Sequence, residues 1–296
     1  MPRIPGVAFA GKIEQIHKSG RNSMQRGDLV LSLVCSGSNS RYVCIPRERL
    51  VKVPNNFSLS SAKIASLPEI YLSAFQALHV GHSCGSRYKK TALSGKAIMF
   101  IGGVTAYGQA ITELGIEAGA SVVYATASKV KQFQRIIELG GIPLSDNPAE
   151  WLPSINQTVD ILIGSTSDLF KDTDPLTYDH LNVLKKKGQL ILLSGPGAPN
   201  DYPVIHPGKA PCLVDVFKIL KRAQKHNVFE NWERDMKQAK RDLAHLLGLL
   251  HKGVLKPKIL EKIPLSKVSK AEEIIEARRL HGVIICEPWI QDKQHH

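Results

Sequence analysis

A short apolar run that breaks into glycines and then resumes at helical spacing is the feature that most restricts the fold of this chain. The run covers Ala97–Ile101, a length that suits a buried parallel strand. Glycines follow within residues 102–108, and apolar residues then recur at helical spacing over residues 110–118. Another apolar run begins at Val122. This order predicts a βαβ unit: a strand, a tight turn, a helix and a second strand.

The glycines of this turn have the spacing of a dinucleotide-binding motif in which one residue is changed. In such a motif the first glycine makes the tight turn, the middle one lets the backbone approach the pyrophosphate, and the last lets helix and strand pack closely. Gly103 and Gly108 hold the outer positions, whereas Thr105 holds the middle one. Taken alone, the glycines could also be ordinary turn residues between a strand and a helix.

Composition restricts the class of protein. With 296 residues, of which 43% are hydrophobic and 22% charged, the chain suits one large or two moderate globular domains. No apolar run is long enough to cross a bilayer, and residues 1–6 lack the apolar core of a signal peptide. We therefore expect a cytoplasmic protein with no membrane partner. The five cysteines form no CxxC pair, so neither a disulfide framework nor a structural zinc site is predicted.

The net charge of +13 raises the hypothesis of nucleic-acid binding. However, the basic residues are spread along the chain, and the densest region, residues 218–240, interleaves acidic residues with a helical apolar stripe. That pattern is typical of a solvated helix face, so no nucleic-acid partner is expected. A general positive field would still favour an anionic ligand such as a phosphorylated cofactor.

The segments on either side of the glycine turn differ in pattern. The first part is β-rich, with strands predicted at residues 7–16, 29–35 and 41–45 and a turn at 26–28, followed by a helical region over 61–78 that is interrupted near Pro68. After the turn, strands at 122–125, near 142, 159–163 and 189–193 alternate with helices at 129–139 and 178–186. A long helix over 236–250, a strand at 259–263, a helix at 271–279 and a strand at 283–286 complete the pattern.

Alternation of strands and helices predicts a parallel, doubly wound sheet. Ligands of such a sheet bind beyond the carboxyl ends of its strands. The loops that follow the strands, at residues 102–108, 126–131, 164–167 and 194–197, should therefore share one face.

Several ordered segments carry a resemblance to a known family. These are Ile4–Ile13, with its proline and glycine before a strand, the turn Arg26–Val30, the helical segment Leu67–Leu78, and the terminal Leu280–Ile285. In this order they resemble the medium-chain dehydrogenase/reductase superfamily, in particular its zinc-independent quinone oxidoreductase and enoyl reductase branch. The resemblance implies an α/β fold in which a doubly wound parallel Rossmann sheet is joined to a partial GroES-like β-barrel domain.

The resemblance also implies a domain plan. Residues 1–75 are expected to form the partial GroES-like domain, residues 76–225 the Rossmann NAD(P)-binding domain, and residues 226–296 the connecting helix and the return to the GroES-like domain. The chain is expected to be N-terminally short for the family, because it opens inside the barrel. Either the sequence is a fragment or has an incorrect start, or the protein has an incomplete barrel. The exposed strand edges of an incomplete barrel usually need covering by a partner, such as a second copy in a homodimer, or by another element.

The activity implied by the resemblance is hydride transfer between a nicotinamide cofactor and a quinone, an enone or a related carbonyl. Zinc-containing members carry a Gly-His-Glu where this chain has Gly6-Val-Ala8, so no catalytic zinc is expected. The residues identify no catalytic acid, base or nucleophile. The alternative is a catalytically silent Rossmann-fold protein with weak or lost cofactor binding, which acts through protein contacts.

The loop after the second strand predicts the cofactor type. Enzymes that prefer NAD usually place a carboxylate there, but residues 124–131 contain none. Instead, Thr126 and Ser128 offer hydroxyls, and Lys131 stands where the family often has a phosphate-binding cation. We therefore expect NADP(H). Ser128 could equally be the N-cap of the next helix, and Lys131 a solvated helix residue.

The remaining candidate cofactor residues come from the glycine turn and from the positions implied by the resemblance. Ser73 could instead serve in helix packing. Tyr107 could cover the pyrophosphate or obstruct it. The side chain of Thr105 could donate a hydrogen bond to the cofactor or weaken binding by its bulk. These remaining candidates are Ser73, Gly102, Gly103, Thr105, Ala106, Tyr107, Gly108, Ser165, Thr166, Ser194 and Gly195.

Overall fold

The computed structural model describes residues 4–17, 24–83, 85–165, 180–193, 223–277 and 280–290. The chain divides into two compact units, one comprising Met1–Leu72 with Phe229–His296, and the other Ser73–Val228. The strands of the described residues are β1 Ala8–Lys12, β2 Leu29–Leu33, β3 Val51–Lys52, β4 Ala97–Phe100, β5 Val122–Ala127, β6 Ile142–Ser145, β7 Val159–Ser165, β8 Leu184–Leu193, β9 Gln224–His226, β10 Ile259–Ile263 and β11 Val283–Cys286.

Most of the α-helices lie where the periodicity of apolar residues predicts them, but the short helices Leu152–Ile155 and Val228–Arg234 are not among those predicted. The α-helices are α1 Ser61–Ala65, α2 Leu72–Leu78, α3 Ala106–Glu117, α4 Val130–Glu138, α5 Leu152–Ile155, α6 Val228–Arg234, α7 Met236–His251 and α8 Val268–Ala277. The predicted interruption near Pro68 is a single π-helical turn, Leu67–Tyr71, between α1 and α2. None of the helices within the described part of the chain is long and apolar enough to span a membrane.

The first unit contains a three-stranded antiparallel sheet in the order β1-β2-β3 and a two-stranded parallel pair, β10 and β11. Leu31 and Leu33 on β2 are fully buried. The turn before β2 is closed by Asp28, whose carboxylate accepts a hydrogen bond from the backbone N–H of Gln25 at 2.8 Å and lies 2.7 Å from the Lys52 ammonium. The hydrogen bond from Lys52, and then that from Gln25, lower the pKa of Asp28 below its ordinary value.

The strand predicted over residues 41–45 is wrong. This segment has no regular secondary structure and makes no ladder with any described strand. Its residues instead engage in side-chain contacts: the ring of Tyr42 packs edge-on against that of Trp289 at 5.6 Å, and the Arg41 guanidinium lies over the same indole at 5.3 Å. A run of apolar residues forms a strand only when a neighbouring strand is available to share its backbone hydrogen bonds.

The second unit is built on a six-stranded parallel sheet in the order β6-β5-β4-β7-β8-β9. All four residues of β4 are buried, as expected of a strand covered on both faces. Because the strands are parallel, the carboxyl ends of β4, β5 and β7 lie along one edge of the sheet. The predicted doubly wound, parallel α/β sheet is confirmed, and the three-stranded antiparallel sheet of the first unit is consistent with the predicted partial GroES-like part.

The helix predicted over residues 178–186 is wrong at its end. Residues 178 and 179 lie outside the described residues, and Leu184 already pairs with Val159 as the first residue of β8. The ladder then continues with Ile161 opposite Gln189, so the lysines between these pairs form a bulge. The segment forms a strand because its backbone pairs with β7 and because Leu184 and Leu190 are buried in the core of this unit; Lys185 is held in addition by a charge partner on β7.

That partner is Asp160, at the amino end of β7. Its carboxylate accepts a hydrogen bond from the backbone N–H of Ala97 at 2.9 Å and lies 2.7 Å from the Lys185 ammonium and 3.5 Å from that of Lys96. Burial acts to raise the pKa of Asp160, but the hydrogen bonds from Lys185 and Ala97 and the two lysine charges outweigh it. The pKa of Asp160 is therefore lower in the folded protein than its ordinary value.

We expect Asp160→Asn to lower the free energy of unfolding by about 1–2 kcal/mol at neutral pH, because the ion pairs with the two lysines are lost. A lowered folded-state pKa means that this stabilisation is present above the unfolded-state pKa of about 4 and disappears as the pH falls through the folded value. Urea unfolding of both proteins at neutral and acid pH measures the difference. Asp146→Asn is the control, because Asp146 is exposed; an equal loss in that variant would contradict the assignment.

Candidate cofactor site

The glycine turn follows the carboxyl end of β4, and its geometry requires glycine at several positions. Gly102 has a φ of +92°, which disfavours any side chain. A Cβ at Gly103 would lie 2.4 Å from the Cβ of Ala125 on β5, and a Cβ at Gly108 would lie 2.6 Å from the Cα of Gly103. The two outer glycines of the motif therefore let α3 and β5 pack directly against the turn.

Thr105, the residue that replaces the middle glycine, is the N-cap of α3. Its hydroxyl donates a hydrogen bond to the carbonyl of Gly102 at 2.8 Å and accepts one from the backbone N–H of Gly108 at 3.2 Å. Its φ of −64° and ψ of 164° are ordinary extended values for an N-cap. The threonine is thus part of the hydrogen bonding of the turn, and its role toward a cofactor stays a prediction.

Thr126, at the end of β5, also takes part in the turn. Its side chain is buried, its hydroxyl accepts a hydrogen bond from the backbone N–H of Gly102 at 2.9 Å, and its carbonyl accepts one from the N–H of Gly103 at 2.8 Å. The sequence does not indicate this contact; it predicts Thr126 as a hydroxyl donor to the cofactor. That donor role stays a prediction.

Two further residues, Gln109 and Arg135, hold the turn, and neither is among the residues predicted from the sequence. Gln109, which is 4% exposed, donates from its amide nitrogen to the carbonyl of Val104 at 2.9 Å. Its amide oxygen accepts a hydrogen bond from Nε of Arg135 on α4 at 3.0 Å. The sequence feature that points to Gln109 is the presence of a glutamine within an otherwise apolar stretch at the start of α3.

The loop between β5 and α4 carries the residues predicted to select NADP(H). Ser128 and Lys131 are both exposed, Ser128 just after β5 and Lys131 in the first turn of α4. The N-cap of α4 is Lys129, whose backbone N–H donates to the side chain of Gln132 at 3.1 Å. Ser128 precedes the cap, so the alternative that it caps the helix is not what the structure shows.

The other predicted residues are placed as follows. Ala106 and Tyr107 are partly exposed in the first turn of α3, Ser165 is the partly exposed last residue of β7, and Ser73 is buried in α2. Since Phe100 pairs with Ile163, Ser165 lies at the carboxyl end of the strand next to β4, at the same edge of the sheet. Thr166, Ser194 and Gly195 lie outside the described residues. Their predicted roles, and those of the placed residues, stay predictions.

The electrostatics of this edge favour an anion. The amino end of α3, a helix of 12 residues, is directed at the turn, and helix N-termini attract negative charge. Lys129 and Lys131 add exposed positive charge at the end of the neighbouring strand. In the part of the chain that the structure describes, no group of three or more His, Cys, Asp or Glu side chains is arranged to hold a metal ion.

Comparison with known proteins identifies relatives of this chain. No family model matches the chain. It is 25% identical over 300 residues to 2-methylene-furan-3-one reductase of Solanum lycopersicum, covering 97% of this chain and 64% of that protein. It is also 25% identical over 196 residues to a highly reducing polyketide synthase of Emericella nidulans, covering 63% of this chain and 7% of the synthase. The chain therefore spans less than two thirds of the length of these relatives.

Solved structures share the fold. A 2-haloacrylate reductase superposes with a TM-score of 0.73 at 20% identity, covering 98% of this chain and 85% of that one. The quinone oxidoreductase of Coxiella burnetii gives a TM-score of 0.67 at 20% identity, covering 97% and 80%. This is the fold of Rossmann-type dehydrogenases and reductases that carry a GroES-like part. The resemblance of the chain to the medium-chain dehydrogenase/reductase superfamily is confirmed.

Proposed function

We propose that this protein is an NADPH-dependent, zinc-independent oxidoreductase that transfers hydride to a quinone, an enone or a related carbonyl compound. The observation that carries the proposal is the glycine turn between β4 and α3, at the edge of the parallel sheet where dinucleotides bind. The reductases and the quinone oxidoreductase among the similar proteins support the class of reaction.

The residues at the turn fit a dinucleotide. Gly103 and Gly108 allow the close contact between turn, helix and strand that this class of site requires, and the amino end of α3 offers a favourable potential for a diphosphate. When bound, the cofactor would supply the hydride. The chain would orient the cofactor through the turn, and Ser165 at the end of β7 would lie along the same edge.

Preference for NADPH is proposed from the loop after β5. The loop has no carboxylate to accept ribose hydroxyls or to repel a 2′-phosphate, and Ser128 and Lys131 are exposed there. Zinc independence is proposed from Gly6-Val-Ala8, where zinc-containing members of the superfamily have their Gly-His-Glu.

We expect Ser128→Asp to weaken NADPH binding about tenfold relative to NADH, because the new carboxylate would repel the 2′-phosphate and attract the ribose hydroxyls. Fluorescence titration of both cofactors measures the ratio. Ser121→Asp introduces the same charge just before β5, at the opposite edge of the sheet, and should leave the ratio unchanged. An unchanged ratio in Ser128→Asp, or tighter NADH than NADPH binding by the unmodified protein, would overturn the proposed preference.

Turnover of NADPH is the direct test of the proposed activity. Purified protein should oxidise NADPH in the presence of at least one acceptor from a panel of quinones and α,β-unsaturated carbonyls, and a metal chelator should not reduce the rate. Tight NADPH binding with no turnover across the panel would argue against the enzyme. Loss of the rate with the chelator would argue against zinc independence.

A second candidate is a silent Rossmann-fold protein with weakened cofactor binding. It is favoured by the hydrogen bonding of the turn, because the backbone N–H groups of Gly102, Gly103 and Gly108 all have acceptors within the protein. A diphosphate would therefore find fewer backbone donors there. Measured affinities for NADPH and NADH separate the two candidates, since the silent protein would bind both poorly.

A further inference from the structure

We propose that Arg135 is a positioning residue for cofactor binding, and that it acts through Gln109 to fix the carbonyl of Val104 and with it the conformation of the glycine turn. The inference rests on the proposed cofactor site. Arg135 lies on α4 and is 26 residues from Gln109 in the sequence.

The first step concerns the turn itself. Gly102 is held at its N–H by Thr126 and at its carbonyl by Thr105, at 2.9 and 2.8 Å. Val104 lies between these contacts and the start of α3, and its carbonyl accepts from the amide nitrogen of Gln109 at 2.9 Å. The contact with Gln109 therefore secures the part of the turn that the two threonines do not reach.

The second step concerns the orientation of the glutamine amide. Gln109 is 4% exposed, so its amide needs partners within the protein at both ends. Nε of Arg135 can only donate, and it donates to the amide oxygen at 3.0 Å. A flipped amide would set its nitrogen against this donor and its oxygen against the carbonyl of Val104, losing both hydrogen bonds. Arg135 thus selects the orientation in which Gln109 can hold the turn.

The third step concerns the support of Arg135. The next residue, Ile136, is fully buried in a cluster with Val104 and Ala125, so the helix that carries the arginine packs against the turn. A terminal nitrogen of Arg135 lies 3.5 Å from the carboxylate of Glu138, one helical turn away. The same helix begins at the loop that carries the predicted NADPH contacts. The arginine therefore links the turn that is proposed to face the diphosphate with the helix that follows the proposed 2′-phosphate loop.

The test combines binding with the behaviour of the cofactor-free protein. Gln109→Met and Arg135→Met each remove one partner of the hydrogen bond between Arg135 and Gln109 and keep a long, flexible side chain. Each should weaken NADPH binding about tenfold. The double variant should be no weaker than either single one, because both remove the same link. Gln109→Glu should also weaken binding, since it keeps an acceptor for Arg135 but places an oxygen against the carbonyl of Val104.

Hydrogen exchange of the cofactor-free protein provides the second readout. Peptides covering residues 101–108 should exchange faster in Arg135→Met than in the unmodified protein, and not in the control Lys90→Met, whose side chain is 81% exposed. If the unmodified protein binds NADPH and the Gln109 and Arg135 variants bind it equally well, or if their effects add, the inference is overturned. If the unmodified protein binds no nicotinamide cofactor while Arg135→Met still accelerates exchange, the proposed function fails and Arg135 retains only its effect on the turn.

Discussion

Gly108→Ala will abolish measurable NADPH binding and lower the free energy of unfolding by about 3 kcal/mol. The added Cβ would lie 2.6 Å from both the Cα and the carbonyl oxygen of Gly103. These are backbone atoms of the turn and cannot rotate away as a flexible side chain could. Overpacking of this kind typically costs 1–3 kcal/mol, and more where the neighbours are rigid.

The loss of binding has a separate cause. Relief of the clash would require α3 to move away from the turn, and this would displace the amino end of the helix from the sheet edge. It would also break the hydrogen bond from the N–H of Gly108 to Thr105. Urea unfolding measures the stability, and titration at a temperature where the variant remains folded measures the affinity.

A helical glycine elsewhere in the chain offers a matched control. Gly248 lies within α7, and nothing is within 4 Å of the position of its Cβ. Gly248→Ala should therefore stabilise the protein slightly, by up to about 1 kcal/mol, through helix propensity. If Gly108→Ala behaves like this control, the close contact between Gly108 and Gly103 does not constrain the turn.

The parts of this site that depend on residues close together in the sequence could be predicted, and those that depend on distant residues could not. The strand Ala97–Phe100 and the helix after the turn follow from local periodicity, and they are formed as predicted. The need for glycine at positions 103 and 108 also follows from the motif, because its spacing encodes the packing of helix on strand. The fold class follows in turn from the alternation of such units.

Long-range side-chain contacts could not be predicted in the same way. Nothing in the local sequence of Arg135 or Gln109 indicates that they meet, because the contact depends on how α3 and α4 pack. The segment 41–45 shows the same limit for a strand, since its run of apolar residues specifies no partner strand. Lys185 lies in β8 rather than a helix because the segment pairs with β7, a strand some 25 residues away in the sequence.

Thr105→Val will weaken NADPH binding about thirtyfold, whereas Thr105→Ser will leave it nearly unchanged. Valine keeps the shape of threonine but removes the hydroxyl that joins the carbonyl of Gly102 to the N–H of Gly108. Two hydrogen bonds, one of them a helix cap, contribute about 2 kcal/mol together, which corresponds to a factor of about thirty if the turn must be ordered to bind. Serine retains the hydroxyl and lacks only the methyl group.

Thr105→Gly separates the two candidate functions. Glycine is a tolerated N-cap, so the variant should remain folded during the titration, and a change in affinity would report on the turn and not on unfolding. If Thr105 orders the turn for a cofactor, this variant will bind NADPH more weakly than the unmodified protein. A large gain in affinity, through release of the N–H of Gly108 toward the diphosphate, would instead mean that the threonine suppresses binding and would support the silent protein. The comparison of valine, serine and glycine at this one position thus distinguishes the effect of the hydroxyl from that of the side-chain bulk.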